Sequence, residues 1–461
     1  MRKGREWGCY SKSAAGGKEM IWVAGGVAGR RNFGFAGGGG CVPGGAGRMK
    51  AKGRRTGRCF VAFGSRCFFA MSSHCQFYHH RAPFTTRGGE VLPEFTLAYE
   101  TYGRMKADGS NVVLLFHALS GSQHAAGSCE AVEGTEGRWT EDCQAGWWSD
   151  FIGPGRALDT NKWFVVCANF LGGCYGTTGP ASVNPVTGAR YGSSFPHVSI
   201  RDVVESQRLL LEHLGIVNIH AVVGVSTGGL MAINFATVYP ERVKVVIPIA
   251  TGGRTTVLNR LIIFEQILAI ENDPNFNGGD YYNGPPPTYG LALARMISHK
   301  SFVHLDEIEK RARGDVKQPE EGLRWYRLRD SIESYMLHQG TKFVRRFDAN
   351  TYLRICEMWS AFDPVKEAGA ADWLALLSPC KAAGQHWLIF SIDSDFCFYP
   401  EEQAGLVSHL RDADADVMHI TVHSLKGHDS FLLEPLLYTP HLVYALDATQ
   451  TRHEERADPG I

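Results

Sequence analysis

The sequence predicts an α/β fold in which a mostly parallel central sheet is covered by helices on both faces. Three observations predict it. From about residue 90, apolar runs typical of strands alternate with segments that have helical spacing of their apolar residues. The runs are almost continuously apolar, as expected of strands that are buried on both faces. The alternation stops at about 252 and resumes at about 376, which indicates an insertion between two strands of one sheet.

The predicted strands share an enrichment in β-branched and aromatic residues. Seven segments have this composition: 95–103, 111–118, 163–170, 219–226, 243–251, 387–393 and 417–424. Three helices lie between them. The first, 200–214, has apolar residues at helical spacing and ends at Gly215; the second, 227–239, ends before Pro240; the third is 400–412.

We divide the chain into three parts. Residues 85–253 and 376–450 form the α/β core, and residues 254–375 form the insertion. The insertion is helical but polar, with a glycine- and proline-rich piece at 277–287, NGGDYYNGPPP. A helical insertion of this kind is typical of a lid over an active site.

Residues 1–80 are the third part. The first 70 residues hold 14 of the 47 lysines and arginines, 2 of the 47 aspartates and glutamates, and 18 of the 53 glycines. They carry a net charge of +12, which the rest of the chain balances. A segment this rich in glycine buries little, so we expect it to be disordered. Its composition is that of an organelle transit peptide; the alternatives are a basic flexible arm, or a true start at Met49 or Met71.

Composition also excludes several classes of protein. No run of about 18 apolar residues predicts a transmembrane helix. Five of the twelve cysteines lie in residues 1–80 and none forms a C-x-x-C pair, which argues against a disulfide framework or a metal site. The basic arm precedes no nucleic-acid-binding fold. We expect a soluble intracellular protein without membrane or nucleic-acid partners, in the cytoplasm or, if residues 1–70 are a transit peptide, in an organelle.

One short motif indicates covalent catalysis. The strand at 219–226 ends in Gly224-Val225-Ser226-Thr227-Gly228, and a helix follows. Strand, G-x-S-x-G and helix together are the context of a nucleophile elbow, in which a tight turn exposes the serine. The motif alone also occurs in ordinary turns, so Ser226 needs a base, an acid and an anion hole elsewhere in the chain.

The later strands supply candidates for the base and the acid. In an α/β-hydrolase arrangement the order is serine, acid, histidine, each after a strand. Asp395 follows the strand at 387–393, and His428 follows the strand at 417–424. His428 would take the proton from Ser226, and Asp395 would orient the imidazole. Asp393, the last residue of its strand, is the rival acid; we favour Asp395.

The anion hole requires two backbone N–H groups. Thr227 follows the nucleophile at a helix N-terminus and supplies one. The second is expected from the loop after an early strand, and Leu119 in HALSGSQHA (117–125) is the candidate.

Around these residues the sequence resembles homoserine O-acyltransferases of the α/β-hydrolase superfamily, from about residue 85 to 445. Long runs carry the resemblance: FHALSGSQHAAG (116–127), LGGCYGTTGP with SVNPVTG (within 147–192), FPHVSIRD (195–202), GLALARMISHK (290–300), KFVRRFDANTYL (342–353) and KGHDSFLLE (426–434). SDFCFYP (394–400) matches the acid loop of the family through Asp395, and not through Asp393.

The resemblance implies a function and further roles. It implies a homoserine O-acetyltransferase of methionine biosynthesis that works by ping-pong catalysis through acyl-Ser226, with acetyl-CoA as a substrate and no cofactor. Arg295 would bind the carboxylate of L-homoserine, and Asp429 its ammonium group. It also implies a homodimer in which the lid helices pair. Thr227 stands where the family usually has methionine, which changes the wall of the site.

Alternatives remain open at this stage. Succinyl-CoA could be the donor, or serine the acceptor, with the same chemistry. An esterase would use the same triad and pass the acyl group to water. A non-catalytic binding protein on this fold is a third possibility, against which the complete triad argues.

Overall fold

The computed structural model describes residues 75–457 except 312, 320–322 and 324. The predicted disordered segment therefore lies outside the described residues, apart from 75–80. An eight-stranded sheet forms the centre of the fold. Its strands are β1 (Gln76–His80), β2 (Phe95–Tyr102), β3 (Val112–Phe116), β4 (Phe164–Ala168), β5 (Ile219–Val225), β6 (Val243–Ile249), β7 (His386–Ile392) and β8 (Asp416–Val422).

The strand order in this sheet is β1-β2-β4-β3-β5-β6-β7-β8. β1 pairs with β2, and β2 with β4, in antiparallel register. The six remaining strands are parallel; Phe116 of β3, for example, pairs with Gly224 of β5. The seven predicted strands are thus present with ends shifted by one or two residues, and the predicted α/β-hydrolase fold class is confirmed.

β1 differs from the sequence expectation, which placed Gln76–His80 in the disordered N-terminal segment. Here these residues pair with Phe95–Tyr99 over five positions. The side chain of Tyr78 is buried beside Phe95. The strand is stabilised by this distant partner, not by its own apolar content, so its composition did not reveal it.

Thirteen helices are described, the last of them for its backbone alone at the C-terminal end. They are α1 (Glu141–Gln144), α2 (Ile200–His213), α3 (Thr227–Val238), α4 (Val257–Glu271), α5 (Thr288–Phe302), α6 (Leu305–Arg311), α7 (Ser331–Arg346), α8 (Ala349–Ala361), α9 (Pro364–Ala368), α10 (Trp373–Ala382), α11 (Pro400–Asp412), α12 (Ser430–Leu433) and α13 (Pro435–Ala457).

Local signals set the ends of several helices. Ser199 and Asp202 form a capping box at the start of α2, and Gly215 takes a left-handed φ of 74° just after its end. Capping boxes also open α4 at Thr256 and α7 at Asp330. None of the helices in the described part of the chain has the length and apolarity needed to cross a membrane.

The core lies on both faces of the sheet. Along β3, Leu114 and Phe116 pack on one face, and Val113 and Leu115 on the other. All four are fully buried. This two-sided burial explains why the strands are apolar at consecutive positions instead of alternating.

The helices between β6 and β7 build the segment predicted as a lid. α4 packs on α5 and α8, and α5 packs on α7. α9 and α10, which close the segment, instead contact α3 of the core. Residues of α5 and α7, in the middle of the segment, line a cavity at the C-terminal edge of the parallel strands, where the predicted site residues lie.

Candidate active site

Ser226 occupies a strained turn between β5 and α3. Its φ and ψ are 56° and −124°, a region that non-glycine residues seldom adopt. Two of its glycine neighbours are required sterically: a Cβ on Gly224 would collide with the carbonyl of Gly228, and one on Gly228 with the carbonyls of Phe116 and His117. The turn fixes Ser226 at the tip of β5, as the G-x-S-x-G motif predicted.

His428 lies within hydrogen-bonding distance of Ser226. It sits in a short 3-10 turn after β8, and its Nε2 is 2.8 Å from Ser226 Oγ. Its Nδ1 is 2.7 Å from Asp395 Oδ2. Because Nδ1 faces a carboxylate, it carries the proton, and Nε2 is left to accept from the serine hydroxyl. All three side chains are buried, with exposures of 5% or less.

Asp395 is held rigidly. Its Oδ1 accepts hydrogen bonds from the backbone N–H groups of Cys397 (2.8 Å) and Phe398 (2.9 Å), and Gln403 donates to Oδ2. These donors fix the orientation of the carboxylate, and its Oδ2 is left aimed at His428. The rival Asp393 points elsewhere: its carboxylate binds exposed His423 at 2.7 Å and the backbone N–H of Ser424.

The two predicted anion-hole residues flank the serine. Thr227 is the first residue of α3, so its N–H has no acceptor within the helix. Leu119 lies in the turn after β3 and lines the cavity that contains Ser226. Among the described residues, the Leu119 N–H has no hydrogen-bond acceptor.

Arg295 and Asp429 reach the same cavity from different parts of the chain. The Arg295 guanidinium of α5 lies 5.2 Å from the ring centroid of Phe302 and 5.0 Å from that of Phe343. Burial lowers the pKa of Arg295 below its usual value. Burial also raises the pKa of Asp429, while the charges of His428 and Arg295 oppose that rise. A basic and an acidic side chain therefore face one cavity beside His428.

The cavity has a volume of about 360 Å³. Its walls combine the early loops, the strand ends and two lid helices: Ala118, Leu119, Ser120, Gly121, Ser122, His124, Asp142, Cys143, Ala145, Trp147, Tyr175, Ser226, Arg295, Phe302, Gln339, Lys342, Phe343, Arg346, His428, Asp429, Phe431 and Leu432. In the described part of the chain, no cluster of three or more His, Cys, Asp or Glu side chains is placed to hold a metal ion.

Sequence reasoning missed one face of this cavity. Gln339, Lys342, Phe343 and Arg346 of α7 all line it. Their spacing of three and four residues places them on one side of the helix, which is a signal the sequence does contain. The run KFVRRFDANTYL contributed to the family resemblance, but no residue of it received a role.

Comparison with known proteins finds relatives over most of the chain. The sequence profile of the alpha/beta hydrolase fold matches residues 111–419. The chain is 40% identical to the homoserine O-acetyltransferase of Methanohalobium evestigatum over 362 residues, 78% of this chain and 70% of that protein. It is 40% identical to the homoserine O-succinyltransferase of Alkalilimnicola ehrlichii over 367 residues, 78% of this chain and 91% of that protein.

Solved structures point the same way. The crystal structure of homoserine O-acetyltransferase from Bacillus anthracis matches with a TM-score of 0.72 and 26% identity, covering 82% of this chain and 98% of that one. The crystal structure of esterase E22 matches with the same TM-score and identity, covering 81% of this chain and all of that one.

Proposed function

We propose that this chain, which belongs to the homoserine O-acyltransferase family of α/β hydrolases, transfers an acyl group from acyl-CoA to the hydroxyl of L-homoserine through an acyl-Ser226 intermediate. One observation carries the mechanism: Ser226, His428 and Asp395 form an unbroken hydrogen-bonded chain in a cavity that also holds Arg295 and Asp429. The product, an O-acylhomoserine, would feed methionine biosynthesis.

The first half-reaction acylates the serine. Ser226 Oγ attacks the thioester carbonyl while His428 Nε2 takes its proton, and Asp395 stabilises the imidazolium. The oxyanion of the tetrahedral intermediate accepts hydrogen bonds from the N–H groups of Leu119 and Thr227. The C–S bond then breaks, His428 returns the proton to the thiolate, and CoA leaves. CoA is thus a co-product, and acyl-CoA is a substrate rather than a bound cofactor.

The second half-reaction uses the same groups in reverse. Neutral His428 takes the proton of the homoserine hydroxyl, whose oxygen attacks the acyl carbonyl. The tetrahedral intermediate collapses with loss of Ser226 Oγ, which receives the proton from His428. Water competes at this step, and α5 and α7 cover the cavity from above.

Opposite charges near the nucleophile support an amino-acid acceptor. The Arg295 guanidinium forms no hydrogen bond to any described residue, although Phe302 and Phe343 flank it, and a planar guanidinium binds a carboxylate with two parallel hydrogen bonds. Asp429, adjacent to His428 in the chain, would bind the ammonium group. An esterase for neutral esters needs neither charge.

The donor is proposed to be acetyl-CoA, with succinyl-CoA as the alternative; relatives of both names are equally similar to this chain. The test is thiol release from each donor, with and without L-homoserine or L-serine. We expect fast release only with acetyl-CoA and homoserine. Fast release with succinyl-CoA, or with serine, would change the substrate and keep the mechanism. Thiol release that is equally fast with and without the amino acid would identify hydrolysis of the acyl group, as expected of an esterase; the E22 structure carries that name.

We also propose a homodimer formed through the lid. α4 carries an exposed apolar stripe at helical spacing: Val257, Leu261, Phe264 and Leu268 are 72%, 55%, 55% and 40% exposed. Such a stripe is typical of a surface that is buried in an assembly. Sedimentation of the wild type and of a Leu261→Glu, Phe264→Glu variant tests this; an unchanged dimer in the variant, or a monomeric wild type, would refute it.

A further inference from the structure

The loop that carries Leu119 is connected by hydrogen bonds to a charged residue of the lid. Nη1 of Arg346, the last residue of α7, donates to the carbonyl of Ser120 at 3.0 Å. The same nitrogen donates to the hydroxyl of Tyr175 at 2.9 Å. Tyr175 belongs to the LGGCYGTTGP run and Arg346 to KFVRRFDANTYL, so the two motifs that received no role meet at this contact.

The Ser120 carbonyl is one end of a chain of peptide groups. The peptide unit that contains it also contains the N–H of Gly121, which donates to the carbonyl of Ala118 at 2.9 Å. The peptide unit of the Ala118 carbonyl contains, in turn, the N–H of Leu119. No cis peptide occurs among the described residues, so in each unit the C=O and N–H point in opposite directions. The Arg346 guanidinium and the two peptide dipoles are therefore aligned in one series, and the Leu119 N–H is the last donor of that series.

A second donor fixes the middle of this chain. His117 Nδ1 lies 2.8 Å from the Ala118 carbonyl, and its ring stacks on Phe170 at 3.7 Å. Burial lowers the pKa of His117 to about 4, so it stays neutral in the ordinary working range and donates through Nδ1. With two donors on the Ala118 carbonyl, the peptide plane that presents the Leu119 N–H is held in one orientation.

We propose that Arg346 is a positioning residue for the anion hole: its charge, relayed through the Ser120–Gly121 and Ala118–Leu119 peptides, orients the Leu119 N–H and makes it a stronger donor to the oxyanion. Hydrogen bonds in series polarise one another, and a charged donor at the head of the series has the largest effect. The lid thereby contributes to transition-state stabilisation through the loop it contacts. The inference rests on the proposed role of Leu119 in the anion hole.

The test compares Arg346→Met with Arg345→Met, a matched change at the exposed neighbouring position of α7. The substrate is p-nitrophenyl acetate, a neutral ester whose hydrolysis needs Ser226 and the anion hole but neither CoA nor homoserine. We expect Arg346→Met to lower kcat about tenfold or more, with KM little changed, because removing a whole anion-hole donor costs about 10²–10³-fold. Arg345→Met should match the wild type.

Two further readouts separate this role from a structural one. Binding of a small boronic acid, which forms a tetrahedral adduct with Ser226, should weaken in Arg346→Met by the same factor as kcat. The infrared carbonyl frequency of a ¹³C-labelled acyl-enzyme should rise, because the carbonyl is less polarised.

Tyr175→Phe, which keeps the Ser120 contact, should change kcat by less than about threefold. If Arg346→Met does not fold, Arg346→Gln, which keeps an N–H donor but no charge, replaces it; its kcat should also fall, and a kcat equal to that of Arg345→Met would overturn the proposal.

Two results would overturn the proposal. One is a kcat for ester hydrolysis in Arg346→Met equal to that of Arg345→Met. The other is a loss confined to acyl-CoA and homoserine, which would make Arg346 a substrate-binding residue. Failure of the proposed function is distinguishable, since it would appear as homoserine-independent thiol release in the wild type while the ester assay still reports on the anion hole.

Discussion

The two walls of the active-site cavity are built in different ways. Ser226, Asp395 and His428 enter from the ends of β5, β7 and β8, whereas Arg295 and Arg346 enter from the lid helices α5 and α7. The strand ends are fixed by a sheet buried on both faces, so the triad is rigid. The helices hold both cations against aromatic rings, and Arg346 also donates hydrogen bonds to Ser120 and Tyr175. Under the proposed function, the sheet supplies the nucleophile, the base and the acid, while the lid supplies selectivity through Arg295 and supports the anion hole through Arg346.

Ser226→Ala is the strongest test of the sheet wall. It removes the proposed nucleophile, and we expect kcat for acyl transfer to fall by about 10⁴-fold or more. Thermal stability should be nearly unchanged, because only one oxygen is lost from a buried turn. Homoserine-dependent thiol release and a melting curve measure both quantities. A variant that keeps substantial activity would show that the acyl group never resides on Ser226.

Asp395→Asn tests whether Asp395 is the acid that orients His428. The amide side chain can stabilise the wrong tautomer of His428, so we expect kcat to drop by about 10³–10⁴-fold. Asp393→Asn is the matched control two positions earlier. It loses a surface contact with His423 and should stay within about twofold of the wild type, as surface changes usually do. Equal losses in the two variants would contradict the assignment of the acid.

Arg295→Met tests the lid wall. Loss of one charge-assisted contact to a carboxylate corresponds to about 10–100-fold in affinity, so KM for homoserine should rise by that factor. Hydrolysis of p-nitrophenyl acetate by the same variant should be unchanged, since that ester carries no carboxylate. If both activities fell together, Arg295 would take part in the chemical step and not only in binding the amino acid.

Glu402→Gln gives the smallest effect and probes the contact between α11 of the core and the start of α4 in the inserted segment. Glu402 accepts from Thr256, the N-cap of α4, at 2.9 Å. Burial and, less strongly, the charge of Asp395 raise its pKa from 4.5 to about 7. Between those pH values the unfolded chain releases this proton and the folded chain retains it. Stability should therefore fall as pH rises from 4.5 to 7.

The measurement is chemical denaturation at pH 5 and pH 7. Glu402→Gln should reduce the fall in stability by about 1–2 kcal/mol, after allowance for the partial exposure of the carboxyl. Glu401→Gln, at the exposed neighbouring position, should leave the pH dependence as it is in the wild type. A variant at position 402 that keeps the full pH dependence would place the titration elsewhere, for example at Glu367, whose pKa burial also raises to about 7.

The predictability of the two walls differs for a physical reason. The sheet wall follows from local patterns: apolar runs mark the strands, and parallel strands deliver their following residues to one edge. The positions of Ser226, Asp395 and His428 could therefore be predicted without a structure. The lid wall depends on contacts between residues far apart in the chain. Arg346 contacts Tyr175 and Ser120, which are 171 and 226 positions away in the chain, and no periodic pattern in the sequence predicts such a contact.

Strand β1 has a practical consequence for handling this protein. It covers the hydrogen-bonding edge of β2 along Phe95–Tyr99. A truncated chain that begins at residue 81 would expose that edge as a row of unpaired N–H and C=O groups, which is a template for pairing with another molecule. We expect such a protein to precipitate on expression. A chain that begins at Met71 would keep β1 paired with β2, and we expect it to remain in solution.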